Sequence, residues 1–190
     1  SSHRAHGNPG LDRALTPPLF ARVLGPAFAT LAAPVQALHA ARRPCRYVGQ
    51  AHIVRGRHWL VPLLAALARL PNDGEAVPTE VAFSAHGQGE QWARRFGRWP
   101  MVSRLLVYEG CLREQLGAVR FEFDLQAREG GIDWSVRRVW AFGLLPLPRR
   151  WFDGARCREA WQGERYTFLV DVTLPWVGAL IRYEGWLEPR

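Results

Sequence analysis

The sequence predicts an α+β fold that is mainly antiparallel β: a strongly curved sheet or barrel of about nine strands gripping N-terminal helices. Three observations lead there. Residues 118–128 read AVRFEFDLQAR, so that Val119, Phe121, Phe123, Leu125 and Ala127 alternate with Arg120, Glu122, Asp124, Gln126 and Arg128. A period of two over that length is a strand with one buried and one wet face. Similar segments fill the second half of the chain and are joined by short links, HGQG at 86–89, REGG at 128–131, WQGE at 161–164 and LPWVG at 174–178, which makes successive strands hairpin partners. So many antiparallel strands leave two open edges unless the sheet closes on itself or a helix covers them.

Taken in order, residues 1–15 (SSHRAHGNPGLDRAL) are polar at the start, carry Gly and Pro, and read as a flexible arm or an expression remnant; residues 16–190 read as one β-rich domain. Thr16 before Pro17 and Pro18 suits a helix N-terminus, and Leu19, Phe20, Val23 and Leu24 form a short apolar stripe that Gly25 and Pro26 break. A second short helix follows through Phe28, Leu31, Val35, Leu38 and His39, so helices are expected near 17–40. A first strand spans 45–54. Residues 58–70 form a helix that is apolar nearly all round, which places it inside the fold or over an apolar opening. PNDG at 71–74 ends it. Strands are then expected at 77–86, 90–97, 102–111, 113–128 with a break at Gly117, 131–142, 155–161, 164–174 and 178–188. The one long connection, GLLPLPRRWFDG at 143–154, is unusually apolar for a loop and must cover something.

Composition narrows the function. The chain has 190 residues, enough to bury a core without disulfides or metal. All 25 of its basic Lys/Arg positions are Arg, which removes Schiff-base chemistry, a lysine general base and the lysine of a phosphate-cradling loop. The formal charge of +8 would suit a polyanion if the arginines converged, but they are spread along the sequence, and nucleic acid is not the expected partner. Cys45, Cys111 and Cys157 are odd in number and lack metal-ligand spacing, so neither a disulfide framework nor a metal site is expected, and a reducing, cytoplasmic setting is. The run from His58 to Pro71 is too short and too interrupted to span a bilayer. No cofactor-binding motif is read.

The segments DVTLPWVGALIRYEGWLEP at 171–189, VLGPAF at 23–28, VQALH at 35–39, WARRFG at 92–97 and GLLPLPRRW at 143–151 together resemble a bacterial domain-of-unknown-function family found alone or fused behind a saccharopine-dehydrogenase-like NAD(P)-binding domain. The resemblance covers most of residues 17–188 and rests on Gly, Pro and aromatic landmarks of a fold. It implies a bacterial, cytoplasmic module that sometimes works beside a redox domain, and it brings no catalytic residue with it.

Charged side chains on apolar strand faces are the candidates for chemistry. Arg94 lies between Trp92 and Phe96, and Arg138 shares its alternation with Trp134, Val136 and Trp140. Either these guanidinium groups project into the interior and bind a carboxylate or phosphate by paired hydrogen bonds beside the Trp faces, or they lie outside with their stems over Trp rings. Arg182 and Glu184 stand two residues apart on the last strand, as a surface ion pair or as a polar anchor within the interior. His39 is a candidate general acid or base, against the alternative of a helix-terminal histidine; Glu184 is the second catalytic candidate. The leading expectation is a module that binds an apolar or amphiphilic small molecule, with or without an anionic end. The alternative is a cyclase-, isomerase- or hydrolase-type enzyme acting on such a molecule by acid–base chemistry, and a third reading is arginine-mediated binding to nucleic acid or an anionic membrane.

Overall fold

A computed structural model describes residues 16–41 and 44–190; the arm expected at 1–15 lies outside the described residues. The chain begins with α1 (Leu19–Leu24), a 3-10 turn (Gly25–Thr30) and α2 (Ala33–Ala40). Pro18, extended at ψ 151, precedes α1, and Pro34 sits in the first turn of α2; both positions tolerate a residue without an N–H. Then come β1 (Cys45–Arg55), α3 (Val61–Leu67), β2 (Gly74–His86), β3 (Gly89–Phe96), β4 (Trp99–Tyr108), β5 (Cys111–Leu116), β6 (Val119–Arg128), β7 (Gly131–Ala141), β8 (Leu145–Leu147), a 3-10 turn (Arg149–Phe152), β9 (Gly154–Gln162), β10 (Arg165–Leu174) and β11 (Gly178–Pro189). The apolar connection at 143–154 is thus partly structured.

Ten of these strands close into an antiparallel up-and-down barrel, each paired with its sequence neighbours, with β1 meeting β11 from Tyr47↔Pro189 to Arg55↔Ile181. Closure removes both sheet edges, the pressure that led from strand count to a strongly curved sheet or barrel. The short β8 pairs with the end of β7, at Val139–Ala141, and lies outside the ring. One seam is thin. β7 and β9 pair only through Ile132–Trp134 and Cys157–Glu159, and beyond Trp134 the gap is filled by side chains, Phe152 and Ala155 among them, rather than by a ladder.

Each end of the barrel carries a helical plug. At one end Leu19, Phe20, Val35, Leu38 and His39 of α1 and α2 are buried with Phe83, Trp92, Leu112, Phe123 and Trp134 from the strands. At the other end Val61 and Ala65 of α3 pack on Ile53, Phe96, Met101, Leu116 and Ile181. Phe121 and Phe168 touch both clusters. The apolar helix expected at 58–70 is the shorter α3, and it caps an opening with its far face left in water: Leu63 is 59 % exposed.

A β-bulge decides which side chains enter the interior. β6 pairs Phe123 with Val136 but Glu122 with Arg138, so Arg137 is an extra residue on β7. Its insertion reverses the alternation. Ile132, Trp134 and Val136 point inward before the bulge and Val139 after it, which sends Arg138 and Trp140 to the outer face. A second irregularity, between Val172 and Thr173 on β10, leaves Leu180 unpaired on β11 and puts Ile181 and Tyr183 inside, with Arg182 and Glu184 outside.

Candidate functional site

Between the two plugs lies a cavity of about 170 Å³. Its wall is mostly aromatic and aliphatic, from Val81, Phe83, Phe96, Phe121, Phe168 and Leu187, but a few polar groups converge on it: Arg94, Glu114, Glu159, Cys157, Tyr166 and Tyr183. Every one belongs to an inward position of a strand, so the barrel's register, and no loop, holds them.

Arg94 on β3 donates through Nη2 to Glu114 Oε1 on β5 at 3.0 Å and through Nη1 to Ser103 Oγ on β4 at 3.0 Å, and its guanidinium lies 5.0 Å from the Trp92 ring. Burial works against its charge more than any single neighbour favours it, but Glu114, Tyr183 and Glu159 together outweigh that and raise the guanidinium pKa. At the level of the α1–α2 plug, His39 Nε2 meets Glu159 Oε2 at 2.5 Å, both buried. Glu159 also accepts from the Tyr166 hydroxyl, whose pKa burial pushes well above the phenolic range. Phe20 stacks on the His39 ring at 3.7 Å and seals it, so Glu159 and Tyr166 face the cavity and His39 stands behind them. Glu90 accepts from Trp92 Nε1 at 2.9 Å, and burial raises its pKa. Burial likewise pushes the Cys157 thiol up to about 12, which keeps it neutral and unreactive at ordinary pH. Among the described residues, the buried Trp134 indole N–H has no hydrogen-bond partner.

Among the residues singled out in the sequence, Arg94 and Trp134 line this cavity, and His39 lies immediately behind its wall. Arg138 is exposed and Trp140 half-buried on the outer face, displaced there by the bulge at Arg137. Arg182 bridges Asp171 at 3.2 Å and Glu184 at 3.1 Å on the outer surface, and Glu184 is about half exposed, so neither faces the cavity. Glu122 is 3 % exposed although it points outward, because Arg113 covers it, paired at 2.6 Å and lying over the Tyr108 ring. Sequence reading passed over Glu114 and Glu159. The signal that marked Arg94, a charge inside an apolar alternation, is present in Leu112–Glu114–Leu116 and in Cys157–Glu159–Trp161, and the opposite charges make natural partners.

Among the described residues no group of three or more His, Cys, Asp or Glu side chains is placed to hold a metal ion, and no helix is long and apolar enough to cross a membrane. Fold and site together define a closed antiparallel barrel with a mainly apolar cavity in its interior, an architecture compatible with binding a small molecule. The chain belongs to the family described as Domain of unknown function (DUF4166), whose profile matches residues 31–187. A comparison with curated proteins finds no match.

Proposed function

We propose that the protein binds a small, mainly apolar molecule inside the barrel and fixes its orientation by hydrogen bonds at one polar spot. The observation that carries this is the cavity itself, apolar but for a few polar groups that converge on it. Its size bounds the ligand. A cavity of about 150 Å³ accommodates benzene, so about 170 Å³ suits an apolar body of a single ring or short branched chain. A longer amphiphile requires the β8 segment or α3 to move aside. Charge bounds the polar end. Arg94 is neutralised by Glu114, and Glu159 is paired with His39, so an anion gains little net attraction. A neutral acceptor such as a carbonyl or hydroxyl can take a bond from the spare donors of Arg94 or from the Trp134 indole N–H.

Native mass spectrometry of the purified protein, followed by solvent extraction, tests the reading. The expected result is an adduct that is lost in Ala155→Trp, which fills the cavity from its wall. An adduct that persists unchanged in that variant places the ligand elsewhere and overturns the proposal.

A second reading, an acid–base enzyme, is favoured by one observation: the Glu159 carboxylate faces the cavity between His39 and Tyr166. In that reading Glu159 is the group that reaches the substrate, and His39 is a positioning residue. Turnover of an extracted ligand by the wild type but not by Glu159→Gln would establish it. The resemblance noted above supports a bacterial, cytoplasmic setting and a redox partner domain; co-purification with an NAD(P)-binding protein would test that association.

A further inference from the structure

The α3 end of the barrel differs from the opposite end in both polarity and charge. Trp59, Leu63, Trp99, Phe142, Leu144 and Trp176 are all exposed there, Leu144 and Trp176 by 87 % and 81 %. All six lie on or beside the connections at this end, whereas near the opposite turns the exposed large apolar side chains are Tyr108 and Trp161, both about two-fifths exposed. Trp99 Nε1 donates to Arg69 O at 2.9 Å, Ala118 N to Leu67 O at 2.8 Å and Phe142 N to Ala118 O at 2.7 Å, and the Trp151 and Trp176 rings meet at 6.1 Å. The connections at this end (56–73, 97–98, 117–118, 142–153 and 175–177) carry five arginines, Arg57, Arg69, Arg98, Arg149 and Arg150, against Asp73 and Asp153. All five are exposed, and among the described residues none takes part in an ion pair. The hairpin turns at the other end, 87–88, 109–110, 129–130 and 163–164, carry Glu109, Glu129 and Glu164 and no arginine, and the exposed Arg22 of α1 there donates to Gln88 O at 3.0 Å.

We propose that the α3 end is a docking face for an anionic lipid bilayer. Indole rings favour the boundary between headgroup and hydrocarbon, and arginine stems reach from there to phosphates. Shallow insertion of Trp and Leu with basic residues around them is the pattern of surface-bound proteins. The apolar rim and the arginines free of ion pairs coincide at this end, which sets the orientation: α3 and the β8 segment meet the lipid, and α1 and α2 point away. Because α3 is only one helix thick, with Ala68 just past its C-terminus lining the cavity and Leu63 on its outer side, the face lies one layer from the interior. Docking would then let the barrel exchange its ligand with the bilayer; that purpose rests on the small-molecule reading above, while docking itself does not.

The test is co-sedimentation of the whole protein with vesicles of phosphatidylcholine alone and of phosphatidylcholine mixed with an equal part of phosphatidylserine. Binding is expected to the mixed vesicles and to weaken with added salt. Trp59→Ser and Leu144→Ser should each lower partitioning about tenfold and Arg149→Gln about fivefold, while Arg165→Gln at the opposite end changes nothing. These side chains are exposed, so the folded state of each variant can be confirmed by its near-ultraviolet circular dichroism. No binding to mixed vesicles, or binding indifferent to the three rim substitutions, overturns the proposal. So does a wild-type dimer in solution that Leu144→Ser dissociates, since the face would then serve a second copy. Ala155→Trp separates the two readings: retained docking with lost ligand leaves the docking face standing and isolates the failure to the cavity.

Discussion

Arg94 and Glu114 are each nearly sealed from water, with side-chain exposures of 13 % and 8 %, so each depends on the other. Removing one partner strands a charge in an apolar wall. Arg94→Met should therefore cost about 3–5 kcal/mol in denaturant unfolding, and the double variant Arg94→Met/Glu114→Leu should recover most of it, because two apolar groups leave nothing unpaired. Glu90 gives the opposite kind of test. Burial raises its folded pKa, with the Trp92 hydrogen bond and the nearby His39 only partly offsetting, so the folded state binds the proton more tightly than the unfolded chain does. The stability tied to that proton is present below the unfolded carboxylate value and is lost as pH rises through the raised folded value. Glu90→Gln keeps an acceptor for Trp92 and removes the charge. It should raise Tm at neutral pH, with the gain vanishing below about pH 4. Cys157 should resist iodoacetamide at neutral pH in the native protein, by peptide mapping, because its thiol is held neutral within the wall.

At the scale of elements, the two-residue period was readable almost everywhere because most strands have one face in water. Where the period breaks, sequence reading goes astray. Nothing in WSVRRVW announces that Arg137 is a bulge, since two adjacent arginines fit either register, and the expectation that Arg138 shares a face with Trp134 and Val136 follows from an unbroken alternation. The helix at 58–70 was legible from its all-round apolarity, which is also why its outer face was not: a helix apolar on every side does not say which side meets water. Barrel closure turns on contacts that sequence does not reveal. A Cβ on Gly49 would lie 1.8 Å from Trp186 O, and one on Gly185 would lie 2.0 Å from Gln50 O. The β1–β11 seam thus needs both glycines for close approach. Gly49→Val is expected to abolish the cooperative thermal transition. Gly87→Ala, at a turn with φ +58 and open space around its Cβ, should cost only about 1–2 kcal/mol.

For the whole molecule, closure couples the two ends of the described chain. β1 cannot finish its pairing until β11 is made, so the ring is completed by contacts between residues far apart in sequence, and folding is expected on the millisecond-to-second scale of non-local β topologies. The ring is nevertheless unequal around its circumference. β6 and β7 pair from Val119↔Ala141 to Arg128↔Gly131, whereas β7 and β9 share a ladder over three residues. Beyond Trp134, β7 pairs only with the three residues of β8, and the Arg149–Phe152 turn and the side chains of Phe152 and Ala155 join that segment to β9 by packing, without a ladder. Local opening follows the weakest cooperative unit. Native-state hydrogen exchange should therefore show residues 145–156 exchanging at a lower opening free energy than β10 and β11, and a ligand in the cavity should slow that segment more than any other because Phe152 and Ala155 line the space it occupies. Uniform protection around the barrel, with or without ligand, would mean that the seam is as rigid as the ladders beside it, and access would then have to come through movement of α3.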